Sequence, residues 1–145
     1  MMLNIRHTGL VVKNLRNSIR FYRDFLGMKL WKTRAEKGAY IEKVVGIRNV
    51  KIKWAKLKAG NGSVIELLQY MNKKGPKKRV SNYRSDKPGC SHVAFTVDNI
   101  GTFYDKMKKR GYHCVNKPQL SPDGRAKVMY CHDPDGIILE VVEEI

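Results

Sequence analysis

Four side chains in this sequence have the types and spacing to do chemistry. His7 and His92 open two similar apolar segments, His7-Thr8-Gly9-Leu10-Val11-Val12 and His92-Val93-Ala94-Phe95-Thr96-Val97. Glu66 and Glu140 each sit inside an apolar run, Val64-Ile65-Glu66-Leu67-Leu68 and Ile138-Leu139-Glu140-Val141-Val142. An unpaired carboxylate is costly to bury, so a glutamate in such a run is expected near the surface, paired, or on a metal. Two imidazole nitrogens and two carboxylate oxygens make a mixed donor set. That set suits one divalent ion (Ni, Zn, Co, Mn or Fe), with two open positions if the geometry is octahedral. A carboxylate at the edge of such an ion could also serve as a general base.

The elements that must position these residues repeat. After each histidine strand comes a polar-Asn-aliphatic turn and then Phe-Tyr on a helix: Asn14-Leu15 with Phe21-Tyr22, and Asn99-Ile100 with Phe103-Tyr104. Each helix runs to a glycine, Gly27 or Gly111, the expected stop. Each copy closes on Gly-x-x-x-Glu, at Gly62–Glu66 and Gly136–Glu140. The first copy carries extra residues between its histidine and its glutamate, within Lys29 to Lys58. The pattern predicts strands near 5–13, 39–43, 50–59 and 63–71 with a helix near 16–26. In the second copy it predicts strands near 91–98, 113–118, 126–132 and 137–143 with a helix near 99–110. Caps are expected at Asn14 or Asn17 and at Asp98 or Asn99. The fold class is α+β: tandem βαβββ modules over 1–71 and 90–145, joined by a basic linker at 72–89. Alternation puts every second residue on one face of a strand. If the two modules pack with approximate two-fold symmetry, the four side chains converge inside a curved mixed sheet around a metal site.

Composition bounds the rest. The 145 residues fit one such domain, and 42% hydrophobic content excludes a disordered or collagen-like chain. No apolar run reaches the roughly 20 residues of a membrane span, and no signal-peptide block opens the chain, so a cytoplasmic protein is expected. Three cysteines (Cys90, Cys114 and Cys131) without a CxxC spacing read as reduced thiols. His113 and His132 fit surface or structural roles. The net charge of +16 fits nucleic-acid binding, an anionic small-molecule substrate or a basic surface with no specific partner. For an anionic substrate, Arg20, Lys127 and the linker residues Lys77, Lys78 and Arg79 are candidates to hold its tail, the linker otherwise being a solvated connector. Basic residues here are not interleaved with stacking aromatics, so specific nucleic-acid binding is not expected.

These strings resemble the vicinal oxygen chelate superfamily, which comprises glyoxalases, bleomycin resistance proteins and extradiol dioxygenases. The resemblance covers 5–143. It rests on the two histidine segments, Ser18-Ile19-Arg20-Phe21-Tyr22-Arg23-Asp24-Phe25-Leu26-Gly27-Met28, Ile65-Glu66-Leu67 and Asp133-Pro134-Asp135-Gly136-Ile137-Ile138-Leu139-Glu140. It implies paired βαβββ modules holding one divalent metal, chelated in turn by vicinal substrate oxygens. The order His7, Glu66, His92, Glu140 looks most like that of glyoxalase I, a lactoylglutathione lyase. The implied function is a metal-dependent lyase or isomerase moving a proton next to a carbonyl, with Glu140 as base and Glu66 as its counterpart. A homodimer is implied as well. The alternatives are an Fe(II) extradiol-type dioxygenase, where three protein ligands are expected, and a non-catalytic binding module of the resistance type. After Glu66 the chain reads Leu67-Leu68-Gln69-Tyr70-Met71-Asn72, where a Tyr-Asn-Trp-Gly string is expected in bacterial glyoxalase I. No glutathione-binding residue is therefore carried over.

Overall fold

A computed structural model describes residues 2, 4–72, 85, 86 and 88–145. The chain divides into two compact units, Met1–Lys77 and Lys78–Ile145. The first holds strand β1 (Thr8–Val11), helix α1 (Leu15–Arg20), β2 (Lys29–Lys37), helix α2 (Ala39–Val45), β3 (Lys51–Lys58) and β4 (Val64–Tyr70). The second holds β5 (Val93–Thr96), helix α3 (Ile100–Lys109), β6 (Gln119–Leu120), β7 (Ala126–His132) and β8 (Ile138–Glu144). Each unit has one mixed four-stranded sheet, in the orders β1-β4-β3-β2 and β5-β8-β7-β6. In each the histidine strand pairs parallel with the glutamate strand, and the remaining pairs are antiparallel. The α+β class expected from the repeat is the one observed.

The helices start where polar side chains can satisfy their first amides. Asn14 accepts from the Asn17 amide at 3.1 Å and Asn99 from the Thr102 amide at 2.7 Å. Each such cap is worth about 1 kcal/mol. The first helical amide is held from the sheet in both units: Leu15 N–H donates to Gln69 Oε1 at 2.9 Å, and Ile100 N–H to Glu143 Oε2 at 2.7 Å. α1 continues as a π-helical turn over Phe21–Phe25, which buries Phe21 and Tyr22. α1 packs on β3 and β4, and α3 on β8. One face of each sheet is correspondingly buried. In the first unit it carries Leu10, Ala55, Leu57, Ile65 and Leu67; in the second, Met129, Cys131, Leu139 and Val141. Truncating a fully buried leucine such as Leu67 or Leu139 to alanine would cost about 2–5 kcal/mol.

Two expected elements, the strands at 39–43 and 113–118, are corrected. Residues 39–43 are not a strand but lie in α2, and the second strand of the first unit is instead Lys29–Lys37. Gly38 (φ 94°) and Gly46 (φ 69°) bracket α2 in conformations that a β-branched strand would not take. Ile41 then packs with Val50 and Ile52, supported by Val45, Trp54, Leu68 and Tyr70. α2 and the longer β2 account for the extra residues of the first copy. In the second copy β6 has two residues where β2 has nine, and 113–118 contributes only the bridge from Cys114 to Cys131.

Candidate functional site

The parallel pairing sets Gly9 opposite Glu66 and Ala94 opposite Glu140. Two residues upstream of each partner, His7 and His92 share its face of the sheet. The side chains meet. His7 Nε2 lies 2.9 Å from Glu66 Oε2, and His92 Nε2 lies 2.7 Å from Glu140 Oε2. Because Ile65, Leu67, Leu139 and Val141 point to the helix-covered face, both pairs project from the opposite one. Both glutamates are largely sheltered, with side-chain exposure of 13% for Glu66 and 23% for Glu140.

Each pair also has a third member on the next strand. β3 places Lys56 opposite Glu66, and β7 places Tyr130 opposite Glu140. Lys56 Nζ stands 3.4 Å from Glu66 Oε1 and over the Trp54 ring at 5.1 Å. The Tyr130 hydroxyl stands 3.4 Å from His92 Nδ1, with Ser91 Oγ at 3.1 Å from the same nitrogen. Burial, and then the charge of Glu140, raise the Tyr130 pKa above the ordinary phenol value. The hydroxyl therefore keeps its proton at neutral pH. His7 Nδ1, by contrast, is buried with no hydrogen-bond partner among the described residues.

These donors fit a divalent ion, one His–Glu pair at a time. Adjacent ligands at about 2.1 Å from an octahedral ion lie roughly 3.0 Å apart, close to the observed separations of 2.9 and 2.7 Å. His92 also has the outer partners that fix a ligating imidazole. Among the described residues, no group of three or more His, Cys, Asp or Glu is placed to hold a metal.

The remaining candidates lie elsewhere or outside the described residues. Arg20 is exposed at the end of α1, on the layer that covers the face away from Glu66. Lys127 pairs with Glu143 in register, on the face of its sheet opposite Glu140. Lys77, Lys78 and Arg79 fall outside the described residues. His113 and His132 face each other, Nδ1 to Nδ1 at 2.9 Å. Sequence reading missed Lys56 and Tyr130. They share the offset of the two glutamates, but as Lys and Tyr they give a repeat comparison no identity to detect.

The chain is similar to known proteins along nearly its whole length. The chain is 28% identical to a probable lactoylglutathione lyase of Synechocystis, over 94% of this chain and 92% of that protein. It is 27% identical to the lactoylglutathione lyase of Escherichia coli O157:H7, over 98% and 93%. The crystal structure of a glyoxalase family protein from Bacillus cereus shares the fold, with a TM-score of 0.88 over 100% of this chain and 96% of that one, at 22% identity. A sequence model of the glyoxalase/bleomycin resistance protein/dioxygenase superfamily matches residues 4–141. The matched span takes in His7, Glu66, His92 and Glu140, and the chain belongs to that superfamily.

Proposed function

We propose that the protein is a metal-dependent lyase or isomerase of the glyoxalase I type, moving a proton between adjacent carbons next to a carbonyl. The observation that carries this reading is the recurrence, in both units, of an imidazole nitrogen and a carboxylate oxygen less than 3 Å apart. The order His7, Glu66, His92, Glu140 and the relatives named as lactoylglutathione lyases support it.

On this reading each of those four side chains is a ligand of a divalent ion. When bound, the ion supplies a Lewis acid that polarises neighbouring substrate oxygens. Glu140 takes the carbon-bound proton and returns it to the adjacent carbon, ending unchanged. His92, held at Nδ1 by Ser91 and Tyr130, keeps its Nε2 beside that carboxylate, on neighbouring positions of the site. Tyr130, with its pKa raised, offers a hydroxyl proton beside Glu140. Glu66 is held by His7 on one oxygen and Lys56 on the other, which suits a fixed ligand better than a moving base. The protein works as a homodimer, as expected from its sequence resemblance.

Metal analysis tests the reading. Protein loaded with Ni or Zn and then dialysed should retain one ion per site, and His92→Ala should lose it. Retention unaffected by that change would reject the ligand set. Turnover of the glutathione hemithioacetal of methylglyoxal then tests the named activity, and sedimentation well above 16.7 kDa tests the dimer.

A further inference from the structure

We propose that Lys56 and Lys58, with the indole of Trp31, form a subsite beside Glu66 for a compact oxyanion, the phosphate or carboxylate end of the substrate. The inference rests on the reading above for the place of catalysis, but not for its own evidence. It moves the anion-binding role from Arg20, Lys127 and the linker to the strands that carry the pair.

Strand geometry selects these residues. Lys56 lies opposite Glu66, so Lys56 and Lys58 share the Glu66 face of the sheet. On β2, Lys32 stands directly opposite Lys56 and Lys29 opposite Lys58, while Arg34 stands opposite Trp54. Two like-charged pairs face each other across one strand boundary, an arrangement that destabilises a sheet. Counter-charge is scarce. Glu66 reaches Lys56, and Glu36 is engaged by Trp54 Nε1 at 2.9 Å. Among the described residues no carboxylate comes within ion-pair distance of Lys29, Lys32, Arg34 or Lys58.

The cations are also placed. Lys58 Nζ and Lys32 Nζ stand over the Trp31 ring, at 3.8 and 4.7 Å. Lys56 is held between Trp54 and Glu66, with its side chain only 18% exposed. Ammonium groups oriented by indole faces lose less freedom on meeting an anion than free surface lysines do. An oxyanion here would relieve the repulsion between strands and take charge-assisted hydrogen bonds from Lys56 and Lys58. A nucleic-acid strand fits less well, since it needs successive exposed aromatics, and Trp54 is half-buried.

The only two tryptophans, Trp31 and Trp54, both lie at this subsite, so intrinsic fluorescence reads it locally. Chelator-treated full-length protein is titrated with inorganic phosphate and with acetate at constant ionic strength. The expected result is a saturable fluorescence change for at least one anion. Affinity should fall by about 10- to 100-fold in Lys56→Met and in Lys58→Met. Lys53→Met, on the other face of β3, should titrate like the parent. Phosphate should also raise the melting temperature of the parent more than that of the two variants, a readout independent of fluorescence. A response no larger than that of added chloride, or equal affinities in all four proteins, would overturn the proposal. So would affinity for single-stranded oligonucleotides that grows with their length and exceeds that for phosphate. The titration is metal-free, so its failure leaves the metal reading standing, and failed metal loading leaves the subsite standing.

Discussion

The two units of this chain share a backbone plan and differ in what surrounds the same pair of residues. In the first, His7–Glu66 is met by a lysine; in the second, His92–Glu140 is met by a tyrosine and a serine. The first unit carries 18 basic and 4 acidic residues, a net of +14, and the second 11 and 9, a net of +2. Nearly all of the protein's charge asymmetry therefore belongs to the Glu66 half. The difference teaches that a repeat can preserve a donor set while the neighbouring strand divides the labour. On the proposed function, a carboxylate gripped by Lys56 is the fixed ligand, whereas the one beside the Tyr130 phenol is the base.

The largest effect should come from breaking the pair in the second unit. Glu140→Gln should lower turnover about 10²- to 10⁴-fold, the usual range for a general base. Glu66→Gln should act chiefly through metal retention. Steady-state rates of the two variants, each measured at full metal occupancy, check this. A deeper loss in the Glu66 variant would exchange the two roles.

Next in size is Tyr130→Phe, which removes a hydroxyl 3.4 Å from His92 Nδ1 and leaves the ring. Metal affinity should fall by up to about 10-fold, less than for a full outer partner, because Ser91 remains. A competition titration against a chromophoric chelator would read it. Lys56→Met is the matching test in the first unit. It should leave Glu66 free of its cation and strengthen metal binding, so equal and same-signed effects in the two variants would erase the asymmetry.

The smallest expected effect is alkaline. Burial, then Cys114 and Asp133, push the Cys131 thiol up to about 12, and the Tyr130 phenol is also raised. A folded state that holds protons more tightly than the unfolded one is favoured while both keep them. Stability from these groups is therefore fully present below about pH 9 and declines as pH rises towards 12. Urea unfolding between pH 8 and 11 should show this loss in the parent and a shallower one in Cys131→Val. An identical slope in the variant would put the effect elsewhere.

Much of this was legible in the chain. The two histidines and two glutamates stand out because identical residues recur at equivalent places in an apolar pattern, but the register of Gly9 opposite Glu66 is what gives His7 and Glu66 a common face. The caps Asn14 and Asn99, each one of two candidates, and the buried Tyr22 follow from local spacing in the same way, whereas the π-turn and the burial of Phe21 do not. α2 was not legible. Tyr40-Ile41-Glu42-Lys43-Val44-Val45 is β-branched enough to read as a strand, and its helical form depends on Gly38 and Gly46 and on Ile41 reaching Val50 and Ile52.

The sequence by itself thus determined the α+β repeat, the recurrence of His7 and Glu66 as His92 and Glu140, and the total charge, because each is carried by residue identity at a fixed local period. Only the tertiary structure decided which cross-strand residue meets each glutamate. Register between β3 and β4, and between β7 and β8, brings together residues 10 positions apart in sequence through turns of different composition. No local period encodes that pairing. It placed Lys56 and Lys58 on the working face and sent Arg20 and Lys127 away from it, because a side chain's face follows from strand register and helix packing, whatever its charge.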